Sequence, residues 1–131
     1  MNAYQRGIVV TNLDVLEGEL LKAEKVLDTE YSFEKAEPSY VRCLEIISHA
    51  EHKRPQIVAL ITSLFSSGKL SDEPVAVLMH KLRWPEVRRW AEAELHAMEN
   101  PKANGRPLEK IIAAFNDDWE NKEFYQLFAA K

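Results

Sequence analysis

The sequence predicts an all-α single domain spanning residues 1–131, with about six or seven helices packed as antiparallel hairpins. Three observations carry this prediction. Apolar residues recur at spacings of three and four along most of the chain. Strand-like alternation is confined to the short run "GIVV" at residues 7–10. Only four glycines, Gly7, Gly18, Gly68 and Gly105, interrupt the pattern, and no stretch has the length or composition of an inter-domain linker.

The first helix is expected over 13–28, where Leu13, Leu16, Leu20, Ala23 and Leu27 form one stripe and Asn12 is placed to cap it. Gly18 weakens it slightly. "TEYSFEKAEP" reads as a loop, and a second helix follows over 38–52. Pro38 falls in its first turn, where a missing N–H costs nothing. Val41, Leu44, Ile46 and Ile47 make its stripe. The third helix runs over 55–67 from Pro55. Its Ile57, Val58, Leu60, Ile61, Leu64 and Phe65 cover so much of the circumference that it should be the most buried, with Gly68 ending it.

Ser71 caps a fourth helix that carries Asp72, Glu73 and Pro74 in its first turn and Val75, Leu78, Met79 and Leu82 on its face. A fifth spans 85–99. "NPKANGRP" is a turn, and Pro107 opens a sixth helix bearing Leu108, Ile111, Ile112 and Phe115. Asp117 or Asp118 would cap a last helix, with Phe124 and Phe128 sealing the core.

Within the fifth element, "LRWPEVRRWAEAEL", the series Leu82, Pro85, Glu86, Val87, Arg88, Ala91, Leu95 resembles the first helix of a HEAT-type repeat. The pair Val41-Arg42 precedes Val87-Arg88 by forty-six residues, close to the period of about 40–47 in such repeats. The resemblance covers about a third of the chain, around residues 82–116. It implies stacked helical hairpins and carries no functional residue over. Trp84 stands where that family has an acidic turn residue, so it either seals a seam between helices or projects as an anchor for a partner.

The totals narrow the function classes. The net charge is −4, and Lys and Arg number 17 against 21 Asp and Glu, which is not the basic footprint of a dedicated nucleic-acid binder. The charge is uneven: residues 12–37 hold eight acids and three bases, and "DDWENKEF" at 117–124 is net −3. Residues 1–20 have neither the apolar run nor the cleavage site of a signal peptide, and no window approaches the roughly eighteen apolar residues of a membrane span. With Cys43 alone there is no intrachain disulfide. These features lead us to expect a cytoplasmic protein with no membrane association.

Candidate chemistry is sparse. His49 and His52 share a helical face, but a zinc site needs three or four ligands, and HExxH spacing is absent. Ser63, Ser66 and Ser67 lie in no GxSxG elbow, and Cys43 reads as an apolar filler. No glycine loop cradles a phosphate, so neither a cofactor nor an enzymatic activity is expected. Lys81, Arg83, Arg88 and Arg89 interleave with Trp84 and Trp90 as a strand-gripping surface would. The acids Glu86, Glu92 and Glu94 on the same helix favour an internal charge network instead.

What remains is the acidic and aromatic stretch "NDDWENKEFYQLF". Asp117, Asp118, Glu120 and Glu123 would steer a basic partner, and Trp119 is either an interface anchor or part of the core. A second acidic region lies on the first helix at Glu17, Glu24 and Asp28. A small, acidic, single-domain protein without catalytic motifs resembles by type the immunity proteins of bacterial toxin–immunity pairs. That resemblance implies a protein that binds a basic toxin domain, for instance a nuclease, and blocks its active site or substrate access; a monomer is favoured, with the oligomeric state left open. A HEAT-like adaptor is the alternative, ahead of an RNA-binding helper.

Overall fold

A computed structural model describes residues 11–129. Seven α-helices are present among them: α1 (Asn12–Glu30), α2 (Phe33–Ser48), α3 (Arg54–Ser66), α4 (Asp72–Leu82), α5 (Pro85–Ala97), α6 (Pro101–Asn104) and α7 (Arg106–Ala113). Two 3₁₀ turns, Glu120–Phe124 and Gln126–Phe128, form a C-terminal strap. The all-α single domain is as the periodicity requires, and no strand occurs among the described residues. The "GIVV" run lies outside them.

The helix starts follow local capping. Thr11, rather than Asn12, caps α1: its Oγ1 accepts the Asp14 N–H at 3.1 Å, while the Asp14 carboxylate accepts the Thr11 N–H in return. The loop expected before residue 38 is largely helix. Ser32 Oγ accepts the Lys35 N–H at 3.1 Å, so α2 begins five residues earlier than Pro38. Pro38 then sits inside the helix on its exposed side, at the cost of one backbone hydrogen bond. Only Tyr31 and Ser32 separate α1 from α2, so the two form an antiparallel hairpin. Ser71 occupies the N-cap of α4, but its hydroxyl donates to Glu24 Oε1 at 2.8 Å and so ties α4 to α1.

The most buried helix is α4, not α3. Residues Glu73 to His80 are all buried, whereas α3 buries Ile57, Ile61 and Leu64. The reason is placement: α4 touches α1, α2, α3 and α7, and a helix surrounded in this way needs no polar face. It feeds two apolar clusters. Val75, Leu78 and Met79 join Leu16, Leu20, Ile47, Ile57, Ile61, Val87 and Ile111 in the larger one. Ala76 and Val77 join Ala23, Ala36, Tyr40, Ala114, Trp119 and Tyr125 in the smaller one, beneath the strap.

Helices α5 and α7, the pair that a repeat of the HEAT type would join as one hairpin, pack against each other with α6 between them in sequence. The turn expected at "NPKANGRP" contains that short helix. The helix expected after Asp117 or Asp118 is replaced by the strap, whose backbone donors are engaged by distant carboxylates instead of by a continuing helix.

Candidate functional site

The strap is built from its buried aromatics outward. Trp119 is 5% exposed, with its ring centroid 5.0 Å from that of His80 and 6.1 Å from that of Phe128. Tyr125 meets Tyr40 edge-on at 5.9 Å. Two acids at the edge of the core hold the intervening chain. Glu73 accepts Asn121 Nδ2 at 2.8 Å and the Tyr125 hydroxyl. Glu37 accepts the backbone N–H groups of Gln126 and Leu127 at 3.2 and 2.7 Å. Charged acceptors on otherwise orphaned donors are the strong class of hydrogen bond.

Burial pushes the Glu73 carboxyl above the usual range, and its two donors draw it partly back. His80 donates from Nδ1 to the Ala114 carbonyl at 2.7 Å. Burial lowers its pKa, Arg83 and Lys122 add to that, and the Ala114 carbonyl and Asp117 oppose it. A lowered histidine pKa means that the unfolded chain takes the proton first. Stability carried by neutral His80 is therefore present above about pH 6.5 and lost as pH falls from there toward the folded value. The raised Glu73 acts oppositely: as pH rises through its ordinary range the folded state must give up a proton that it holds more tightly, so stability declines there. The urea midpoint is accordingly expected to drop between pH 7 and 5.5. His80→Asn keeps an N–H near the Nδ1 position and should flatten that drop; an unchanged slope would remove His80 as its source.

With Trp119 and Tyr125 turned inward, the strap and the residues leading into it expose Asp117, Asp118, Glu120, Glu123 and Phe124. Asp117 contacts Arg83 Nη2 at 3.3 Å yet stays almost fully open. Phe124, expected in the core, is 55% exposed and packs its ring 5.2 Å from that of Phe33. That contact joins two acidic segments far apart in sequence. Residues 28–35, with Asp28, Glu30, Glu34 and Lys35, are net −2, and residues 117–124 are net −3. Like charges brought together oppose folding, so the face costs the molecule stability. Lys35 pairs with Glu30 at 2.9 Å and offsets part of it. On its other side the strap borders a cleft of about 450 Å³ that Arg106 and Lys110 help line, so basic side chains bound the acidic face there.

Tyr31 lies at the turn between α1 and α2 on this face. It is 88% exposed with φ of 51°, in the left-handed region. A non-glycine residue there costs roughly 1–2 kcal/mol. Arg83, the other such residue among those described, uses its side chain to hold the carbonyls of His80 and Phe115 at 2.7 and 2.9 Å. Tyr31 closes α1 through its backbone N–H to Leu27, which a glycine would do equally well. Its ring therefore adds little within the chain to offset the strain.

Trp84 is 4% exposed and covered by the Arg54 guanidinium at 4.6 Å, while Arg54 forks onto Glu86 at 2.6 and 2.8 Å. It seals the seam between α3 and α5 and offers no face to a partner or to a base. Trp90 packs edge-on against Phe65 at 5.6 Å, and Arg88 pairs with Glu92 at 3.3 Å. Glu24, on the other acidic region named from sequence, is engaged with Ser71. Sequence reasoning missed Tyr31, Phe33 and Phe124 as a unit; the clue was the match of two acidic, aromatic stretches at 28–35 and 117–124.

Cys43 is fully buried, and burial pushes its thiol up to about 12, which suits a core filler rather than a nucleophile. Among the described residues no group of three His, Cys, Asp or Glu side chains is placed to hold a metal, and no helix is long and apolar enough to cross a membrane. Comparison of the chain with family models, curated proteins and solved structures finds no match.

Proposed function

We propose that the protein binds a basic protein partner through the face formed by the α1–α2 turn and the C-terminal strap, and that it acts as an inhibitor of the immunity-protein type. The observation that carries this reading is the convergence of two acidic segments around the exposed rings of Tyr31 and Phe124. Acidic residues raise the encounter rate with a basic surface, and aromatic rings supply the desolvated contact that holds the complex. The strap is fixed by buried and part-buried hydrogen bonds to Glu73 and Glu37 before any partner arrives, so little ordering cost is incurred on binding. A bound domain of this size would cover a nuclease cleft and exclude its substrate.

The test uses the protein encoded beside this gene. The pair should form a complex whose association rate falls roughly tenfold or more between 50 and 500 mM salt. The double charge reversal Glu120→Lys/Glu123→Lys should slow association by a similar factor and change the dissociation rate far less. The activity of the partner should fall in proportion to complex formed. No complex, or one indifferent to both salt and charge reversal, would remove this function.

A further inference from the structure

We infer that the groove beside Tyr31 receives a single arginine side chain of the partner; this rests on the reading above and specifies what that face recognises. The groove encloses about 350 Å³, and Tyr31, Phe33, Asp72, Glu73 and Lys110 are among the residues that line it. Flat aromatic faces beside a partly desolvated carboxylate are the complement of a guanidinium, which stacks on rings and forks onto carboxylates. Both oxygens of Glu73 are already engaged by Tyr125 and Asn121. Asp72 enters no ion pair among the described residues, and its half-buried carboxyl is the acceptor open to a ligand. Burial raises the Asp72 pKa, and Lys110, the backbone N–H of Asp72 and Arg106 pull it down, so an arginine entering the groove shares this carboxyl with Lys110.

Lysine fits less well, because its ammonium is strongly hydrated and cannot fork. A second copy of this chain fits worst, because its matching face carries the same negative charge. The left-handed Tyr31 gains a purpose in this arrangement: the turn that caps α1 holds the ring at the mouth of the groove.

The test titrates ¹⁵N-labelled protein with acetyl-Gly-Arg-Gly-amide and with its lysine and citrulline counterparts, citrulline being the uncharged shape-match of arginine. The arginine peptide should shift the amide signals of Tyr31, Phe33 and Asp72 in a saturable manner. Lysine should bind about threefold or more weaker, and citrulline about tenfold weaker. Tyr31→Gly should weaken the arginine peptide roughly three- to tenfold while unfolding at the same or higher urea concentration, since glycine relieves the turn. Asp72→Asn should weaken binding about threefold, and Lys110→Glu should tighten it by a similar factor. Equal affinity for citrulline, unshifted Tyr31 and Phe33 signals at saturation, or full binding by folded Tyr31→Gly would overturn the assignment. A partner complex that survives Tyr31→Gly but is lost on charge reversal at Glu120 and Glu123 would remove the arginine groove and leave the acidic face standing.

Discussion

Trp119→Ala is expected to lower the unfolding free energy by roughly 3–5 kcal/mol, the cost of deleting a large buried aromatic. The ring is 5% exposed and packs on His80, Phe128 and, nearly parallel at 6.3 Å, Tyr125. Its removal opens a cavity beneath the strap that α4 cannot shift to fill, because Val75, Leu78 and Met79 anchor its other side in the larger cluster. It also lets water reach the His80 ring. The strap would still be held at Tyr125 and at Glu37, so loosening should begin at residues 117–124 and leave Gln126 and Leu127 protected longest in amide exchange. The comparison that decides between packing and recognition is Phe124→Ala. Phe124 is 55% exposed, and its loss should cost within about 1 kcal/mol. Urea unfolding of the two variants separates them: near-equal destabilisation would mean that Trp119 does not anchor the strap.

The same strap marks the boundary of what the sequence discloses. Where burial follows from a helical stripe, the reading is close: the third helix, expected over 55–67, is found at Arg54–Ser66, and the fifth starts at Pro85 as its proline requires. Those signals are local, repeating every three to four residues. The strap is decided by partners 48 to 90 residues away, Glu73 for Asn121 and Tyr125 and Glu37 for Leu127. A carboxylate that accepts distant backbone N–H groups looks in sequence like any solvated acid, and Glu37 gave no sign of it. The start of α2 failed for a different reason: Pro38 is a strong helix-start signal, but Ser32 offered an earlier cap, and the helix tolerates the proline on its open side. The acidity of both site segments was legible. Their union was not, because it depends on long-range ring contacts, Phe33 with Phe124 and Tyr125, that no periodicity encodes.

Gly105→Ala is expected to destabilise the protein by about 3 kcal/mol, at the upper end of overpacking costs. Gly105 joins α6 to α7 with φ of −88° and ψ of −4°, a conformation open to any residue, so backbone preference is not the reason. The reason is space. A Cβ there would meet the Leu95 Cδ1 methyl and would lie 2.5 Å from the Pro101 carbonyl oxygen. The methyl can turn aside. The carbonyl cannot, because it accepts the Gly105 N–H at 2.8 Å, which closes the four-residue α6. Relief must therefore come from shifting α7 away from α5, which pulls Leu108 and Ile111 out of the larger core and disturbs Ala114, whose carbonyl holds His80. Gly18→Ala supplies the opposite case. Gly18 is exposed in the middle of α1, nothing lies within 4 Å of its added Cβ, and alanine should stabilise by up to about 1 kcal/mol through helix propensity. Chemical denaturation should thus move in opposite directions for the same chemical change. A Gly105→Ala protein as stable as the parent would show that the α6–α7 corner has slack, and the strap would then rest on a less rigid base than its contacts imply.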